Sequence, residues 1–170
     1  VEQEATDIVI FRVRNVDCAF RRAEIREVLP LPRLSRWPGL PAVVQGFFNL
    51  GGRAVPVLDA ELLFGLDDEI LEERDAEAVI YQHLILVDVP STFALLVDRV
   101  MDLATVQTTQ LMPVRDRHTL NGCVGAELDL DGELIHVLEP RHLLLAEEQA
   151  VMADLTRQAE QRLKAWEAPA

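Results

Sequence analysis

Residues 41–59 read PAVVQGFFNLGGRAVPVLD, and this stretch decides the fold. Val43 to Leu50 and Arg53 to Leu58 are runs of apolar, β-branched and aromatic residues, with Gly51-Gly52 between them. A tight two-residue hairpin turn needs positive φ at its central positions, which a Gly-Gly pair adopts without steric cost. The segment therefore reads as two antiparallel strands joined by a tight turn.

The same pattern recurs on both sides. Toward the N-terminus, Ile8 to Val13 and Asp17 to Phe20 read as paired strands around a polar turn at Asn15. Ala23 to Glu27 suits a single helical turn before Val28-Leu29. Pro30, Pro32, Pro38, Gly39 and Pro41 then rule out a helix or a central strand between them. Toward the C-terminus, Asp67 to Glu77 is acidic with little periodicity, which predicts a solvated loop between two β-rich halves. The second half opens with a strand from Val79 to Val89, turns at Pro90-Ser91 and returns from Phe93 to Val100. Val124 to Leu130 and Glu133 to Leu138 flank Asp131-Gly132, a strong hairpin signal.

Two successive β-rich halves imply a mostly β protein of two small barrels. Residues 1–145 are expected to form one domain whose halves meet near 67–77. After Pro140 the period changes: Met152, Leu155, Ala159, Leu163 and Trp166 recur at helical spacing, so residues 146–170 read as an amphipathic helix and tail. Packing onto its own barrel is the favoured destination for that apolar stripe, and docking on a partner is the alternative.

Composition narrows the function. A net charge of −13, with Lys164 the single lysine, presents a repulsive average field to a phosphate backbone, so nucleic acid is not an expected partner. No apolar run approaches the roughly 18 residues of a membrane span, and the chain opens Val1-Glu2-Gln3-Glu4 rather than with a basic region. Membrane insertion and secretion are not expected. Cys18 and Cys123 belong to no CxxC pair, which fits a reduced, cytoplasmic protein.

Catalytic patterns are missing from the sequence. His83, His118, His136 and His142 form no HExxH, and Pro140 separates the last two. Gly51-Gly52 is followed by Arg53 rather than the Lys-Ser/Thr of a phosphate-binding loop, and it lies between strands. Asp67, Asp68, Glu69, Glu72 and Glu73 cluster where solvation leaves carboxylate pKa values hard to perturb. No enzyme activity, metal or cofactor is expected.

Pro41, Gly46, Phe48-Asn49-Leu50, Gly52 and Pro56-Val57-Leu58-Asp59, in this order and spacing, resemble the signature of the CheW-like family. The resemblance runs from about Ile8 to Leu145 and takes in Glu27-Val28, Leu96 to Val100, and Gly122 to Leu138. It implies two five-stranded SH3-like barrels side by side and a non-catalytic adaptor. One face would bind the regulatory domain of a CheA-type histidine kinase. A groove between the barrels would take the helical hairpin tip of a chemoreceptor.

By motif position, the resemblance makes Ile25, Val28, Asn49, Gly51, Val97 and Val100 candidates for partner contact. Val28, Val97 and Val100 suit barrel core as well as groove wall, and Asn49 suits shaping the turn. The family motif reads Asn-Leu-Arg-Gly where this chain has Asn-Leu-Gly-Gly, so Gly51 lacks the arginine that stands near the receptor contact. Arg53, two residues along and on the same side of a strand, is a candidate substitute. Trp37, on the proline-stiffened loop Arg36 to Pro41, is either an interface anchor or a lid on the first barrel. A diverged docking module without receptor binding is the first alternative function. A small β-barrel enzyme or ligand binder is another and would need a deep polar pocket.

Overall fold

Strands β1 (Ala5–Val13), β2 (Val16–Arg21), β3 (Glu27–Pro30), β4 (Val44–Leu50) and β5 (Arg53–Asp59) lead into a one-turn helix α1 (Ala60–Leu63). β6 (His83–Val87), β7 (Phe93–Val97), β8 (Arg99–Gln107), β9 (Met112–Pro113), β10 (Val124–Leu130), β11 (Glu133–Leu138) and helix α2 (Ala146–Glu167) follow. The structure is a computed structural model describing residues 4–66, 82–89, 91–114 and 122–167. The acidic stretch 67–77, the start of the second-half strand at 79–81, Pro90 of its turn, His118 and the side chain of Trp166 lie outside the described residues.

The strands form two sheets. One runs β8-β1-β2-β11-β10-β9 and the other β3-β6-β7-β5-β4. Neighbours are antiparallel except β2–β11 and β5–β7, which are parallel. The first sheet thus has six strands where five were expected, the sixth being the two-residue β9. The single strand expected from Phe93 to Val100 is divided at Asp98: β7 ends at Val97 in one sheet, and β8 starts at Arg99 in the other and continues to Gln107, held extended by pairing with β1 over Ala5 to Arg12. The helical turn before Val28 is a 3-10 turn over Arg22–Glu24, and the chain is already a strand at Glu27.

The chain passes from the six-stranded to the five-stranded sheet through Arg22–Glu24 and returns through Asp98, the residue between β7 and β8. The described elements on either side of 67–77, β5 with α1 and β6, belong to one sheet. Parallel pairing of β2 with β11 draws the two ends of the chain together, a long-range contact that local periodicity does not report.

Strand periodicity explains the core. Ile8 and Ile10 of β1 face Leu128, Ile135 and Val137 inside the six-stranded sheet. Val57, Leu84, Leu86, Ala94 and Leu96 fill the five-stranded one. The alternate residues turn the other way: Val9, Phe11 and Val13, with Ile85, Val87, Phe93, Leu95 and Val97, join a third and largest cluster shared by both sheets. Phe11 stacks on Phe20 there, with ring centroids 5.0 Å apart. Strands buried on both faces must be apolar at every position, which is why these segments are continuous apolar runs. Each fully buried Leu, Ile or Phe stabilises by about 1.5–3 kcal/mol.

α2 belongs to the same shared core. Met152 and Ala159 are buried in it and Leu155 and Leu163 pack against it, so the helix lies on its own sheets. Cys18 and Cys123 are buried there too. Burial pushes the Cys18 thiol up to about 12 and the Cys123 thiol to about 11. The thiolate is the reactive form, so at pH 8 fewer than about one thiol in a thousand is nucleophilic at either site. Neither cysteine is expected to react with a thiol-specific chromogenic reagent in the native protein, and both are expected to react in denaturant. Fast labelling of the native protein would contradict this burial.

Candidate partner-binding site

The β4–β5 turn has the form its sequence requires, with φ +61° at Gly51 and +89° at Gly52. The Asn49 side-chain oxygen accepts a hydrogen bond from the Gly52 N–H at 2.7 Å, so Asn49 shapes the turn. The Asp131-Gly132 turn repeats the device, with Asp129 accepting from the Gly132 N–H at 3.0 Å. At the far end of β5, the Asp59 carboxylate accepts from the N–H groups of Glu61 and Leu62 and starts α1 as an N-cap.

Three of the candidate residues meet in one place. Ile25, Val28 and Val100, with Val9 and Leu103, line a groove of about 300 Å³ between β3 of one sheet and β8 and β1 of the other, with Glu27 and Asp102 at its rim. Ile25 is buried, Val28 and Val100 are half-buried, and Leu103 is 59% exposed. Next to the groove, the β1–β8 register slips: Ile10 pairs with Asp102 and Phe11 with Val100, leaving Met101 bulged out and exposed. A bulge re-aims the residues beside it, and here those residues are groove wall.

The other candidates lie elsewhere. Val97 is 1% exposed and sits in the shared core rather than the groove. Gly51 and Arg53 border a separate cleft of about 690 Å³, together with Arg26, Phe93 and Met152. A Cβ added at Gly51 would meet nothing within 4 Å, so the first obstacle to a side chain there is the left-handed backbone, worth about 1–2 kcal/mol. Trp37 is half-buried with its ring stacked on Phe47 at 5.0 Å, and the Arg162 guanidinium of α2 lies 4.7 Å over it. Trp37 thus packs in the seam between β4 and α2.

Val9 and Leu103 are groove residues with no distinguishing mark in the sequence. Val9 is one of an unbroken apolar run, and Leu103 lies past the expected end of its strand. Gly46, one of the signature positions, lies outside the groove and has a structural task. Its φ is +149°, and an added Cβ would lie 2.7 Å from the Ser35 carbonyl oxygen. This close approach lets Ser35 and Phe47 exchange two backbone hydrogen bonds, of 2.7 and 2.9 Å, which hold the proline-rich segment carrying Trp37 against β4.

A polar depression of about 710 Å³ opens beside Ile25, lined by Glu24, Arg26, Asp88, Glu139, Arg141 and His142 among others. Within it Arg26 lies 3.6 Å from Asp88, and the His142 ring lies 3.3 Å from Glu139. Burial pushes the Glu24 carboxyl above its usual range. No group of three or more His, Cys, Asp or Glu placed to hold a metal ion occurs among the described residues. No helix there is long and apolar enough to cross a membrane.

The architecture is thus two β-sheets with a common core and an apolar groove at the join between them. The chain belongs to the CheW-like domain family, whose model matches residues 7–148. Members of this family are non-catalytic scaffolding adaptors. The chain is 28% identical over 111 residues to a chemotaxis protein CheW of Rhizobium meliloti (strain 1021), covering 65% of this chain and 67% of that one. Its fold matches the crystal structure of the scaffolding protein TtCheW from Thermoanaerobacter tengcongensis, with a TM-score of 0.72 and 19% identity, over 86% of this chain and 92% of that one.

Gly46→Ala is expected to destabilise the protein by about 1–3 kcal/mol, because the new methyl must push the Ser35 segment away. Trp37 fluorescence should become more accessible to a soluble quencher in the same variant. Unchanged stability and quenching would show that the contact between Ser35 and β4 holds nothing in place.

Proposed function

We propose that this chain is the coupling adaptor of a chemotaxis-type pathway in the cytoplasm. It binds the regulatory domain of a CheA-type histidine kinase and the cytoplasmic helical hairpin of a chemoreceptor, and so holds one beside the other. The groove carrying Ile25, Val28 and Val100 is the observation that supports this reading most directly. An apolar trough with an exposed leucine at its edge suits the apolar stripe of a helix, the usual helix-in-groove mode. The names of the CheW relatives point the same way. No cofactor, nucleic acid or membrane insertion enters this function. Modest affinities suffice, because an array of linked contacts raises the effective concentration of each partner.

Gly51 favours a second reading, a docking module that has kept the kinase and lost the receptor, since the family's arginine is absent from the hairpin tip. Arg53 borders the same cleft as Gly51 and is exposed, so it remains the candidate substitute. Val100→Asp, which places a charge on the groove wall, is expected to weaken receptor-hairpin binding by at least about tenfold and to leave kinase-domain binding within about twofold. Isothermal titration of each purified partner against the parent, Val100→Asp and Gly51→Arg proteins checks this. Hairpin binding that appears only with Gly51→Arg would establish the second reading. A parent protein that binds neither partner would end the coupling reading.

A further inference from the structure

Outside the groove, one cluster of charges has no role in the contacts described so far. Glu61 is 5% exposed and is the single buried charged side chain among the described residues. It lies on α1, at the end of the five-stranded sheet, and forms an ion pair with Arg14 in the β1–β2 turn of the six-stranded sheet. Arg14 holds φ +53°, a conformation that a long side chain rarely adopts unless its surroundings impose it. Asp98 accepts a hydrogen bond from the Arg14 N–H at 2.6 Å and donates its own N–H to the Arg12 carbonyl at 3.1 Å. Asp98 is also the residue through which the chain passes from one sheet back to the other.

We infer that Arg14, Glu61 and Asp98 form a clamp that fixes the angle between the two sheets and thereby the width of the groove. Val100 follows Asp98 by two residues and lines the groove, facing Val28 of the other sheet across it. Rotating the sheets apart would strip the guanidinium from a buried carboxylate, so the clamp resists intermediate angles. These three are positioning residues: they act on the partner through the groove walls. The functional half of this inference rests on the coupling role proposed above.

The test uses the full chain with spin labels on Leu134→Cys in β11, an exposed site, and Gln45→Cys in β4, a half-buried one, the native thiols being buried. Arg14→Gln and Glu61→Gln each leave a partner behind, so Arg14→Met/Glu61→Met serves as the second variant. It removes both charges at similar volume, a replacement that buried pairs commonly tolerate. The double variant is expected to unfold cooperatively, to show a broadened distance distribution between the labels, and to bind the receptor hairpin about tenfold more weakly. A distribution as narrow as the parent's would overturn the clamp, since packing alone would then set the angle. A double variant that does not fold would also overturn it, by making the pair a requirement for folding rather than for positioning. If the parent binds no hairpin, the coupling role fails and the distance measurement alone decides the clamp.

Discussion

The shared apolar core between the two sheets is the constraint on which the rest of the structure depends. Each barrel-like sheet has a small core of its own, but neither has a wholly polar exterior. Val9, Phe11 and Val13 on one, and Ile85, Val87, Phe93, Leu95 and Val97 on the other, would be exposed to water if the sheets separated. Exposed apolar area of that extent is unfavourable in proportion to its size, so neither sheet is a self-sufficient module. The shared core keeps the sheets together as one body, in which a groove built from both of them can be held to a definite width. α2 completes the core through Met152 and Ala159 and is part of the structural body.

Much of the fold was legible because strands and turns leave local marks. Gly51-Gly52 and Asp131-Gly132 occupy the turns their sequences require, and the apolar runs from Ile8, Val43, Arg53, Phe93, Val124 and Glu133 are strands. The spacing from Met152 to Leu163 marks the buried face of α2. Sheet membership was not legible. The parallel pairing of β2 with β11 joins residues more than a hundred positions apart, and nothing in either strand names its partner. The long β8 was also missed beyond Val100, because Met101, Asp102 and Leu103 are all exposed and break the alternation that marks a half-buried strand.

The candidate site divides along similar lines. Family motif positions brought Ile25, Val28 and Val100 to one groove. They did not separate these from Val97, which lies on β7, just before the chain crosses to the other sheet, and is wholly buried in the same core that Ile25, Val28 and Val100 edge. A motif alone does not report depth of burial, so it does not tell wall from core. Motif residues with a structural task were easier to interpret once the backbone was known: Asn49 closes a turn, Asp59 caps α1, and Gly46 admits a neighbouring strand. Arg14 and Glu61 carried no sequence signal, since a charged pair 47 positions apart looks like two solvated residues until the fold brings them together.

The passage of the chain between sheets also orders events in time. The five-stranded sheet is made from one continuous stretch, Glu27 to Val97, whereas the six-stranded sheet needs strands from both ends of the chain. During synthesis from the ribosome, β1 and β2 emerge first and must wait for β11 before their parallel seam can form. The inner sheet can assemble meanwhile, with its outer apolar face uncovered until the last hairpin and α2 arrive. A nascent chain of this design therefore carries apolar β-structure that stays partly uncovered until β11 and α2 have been made.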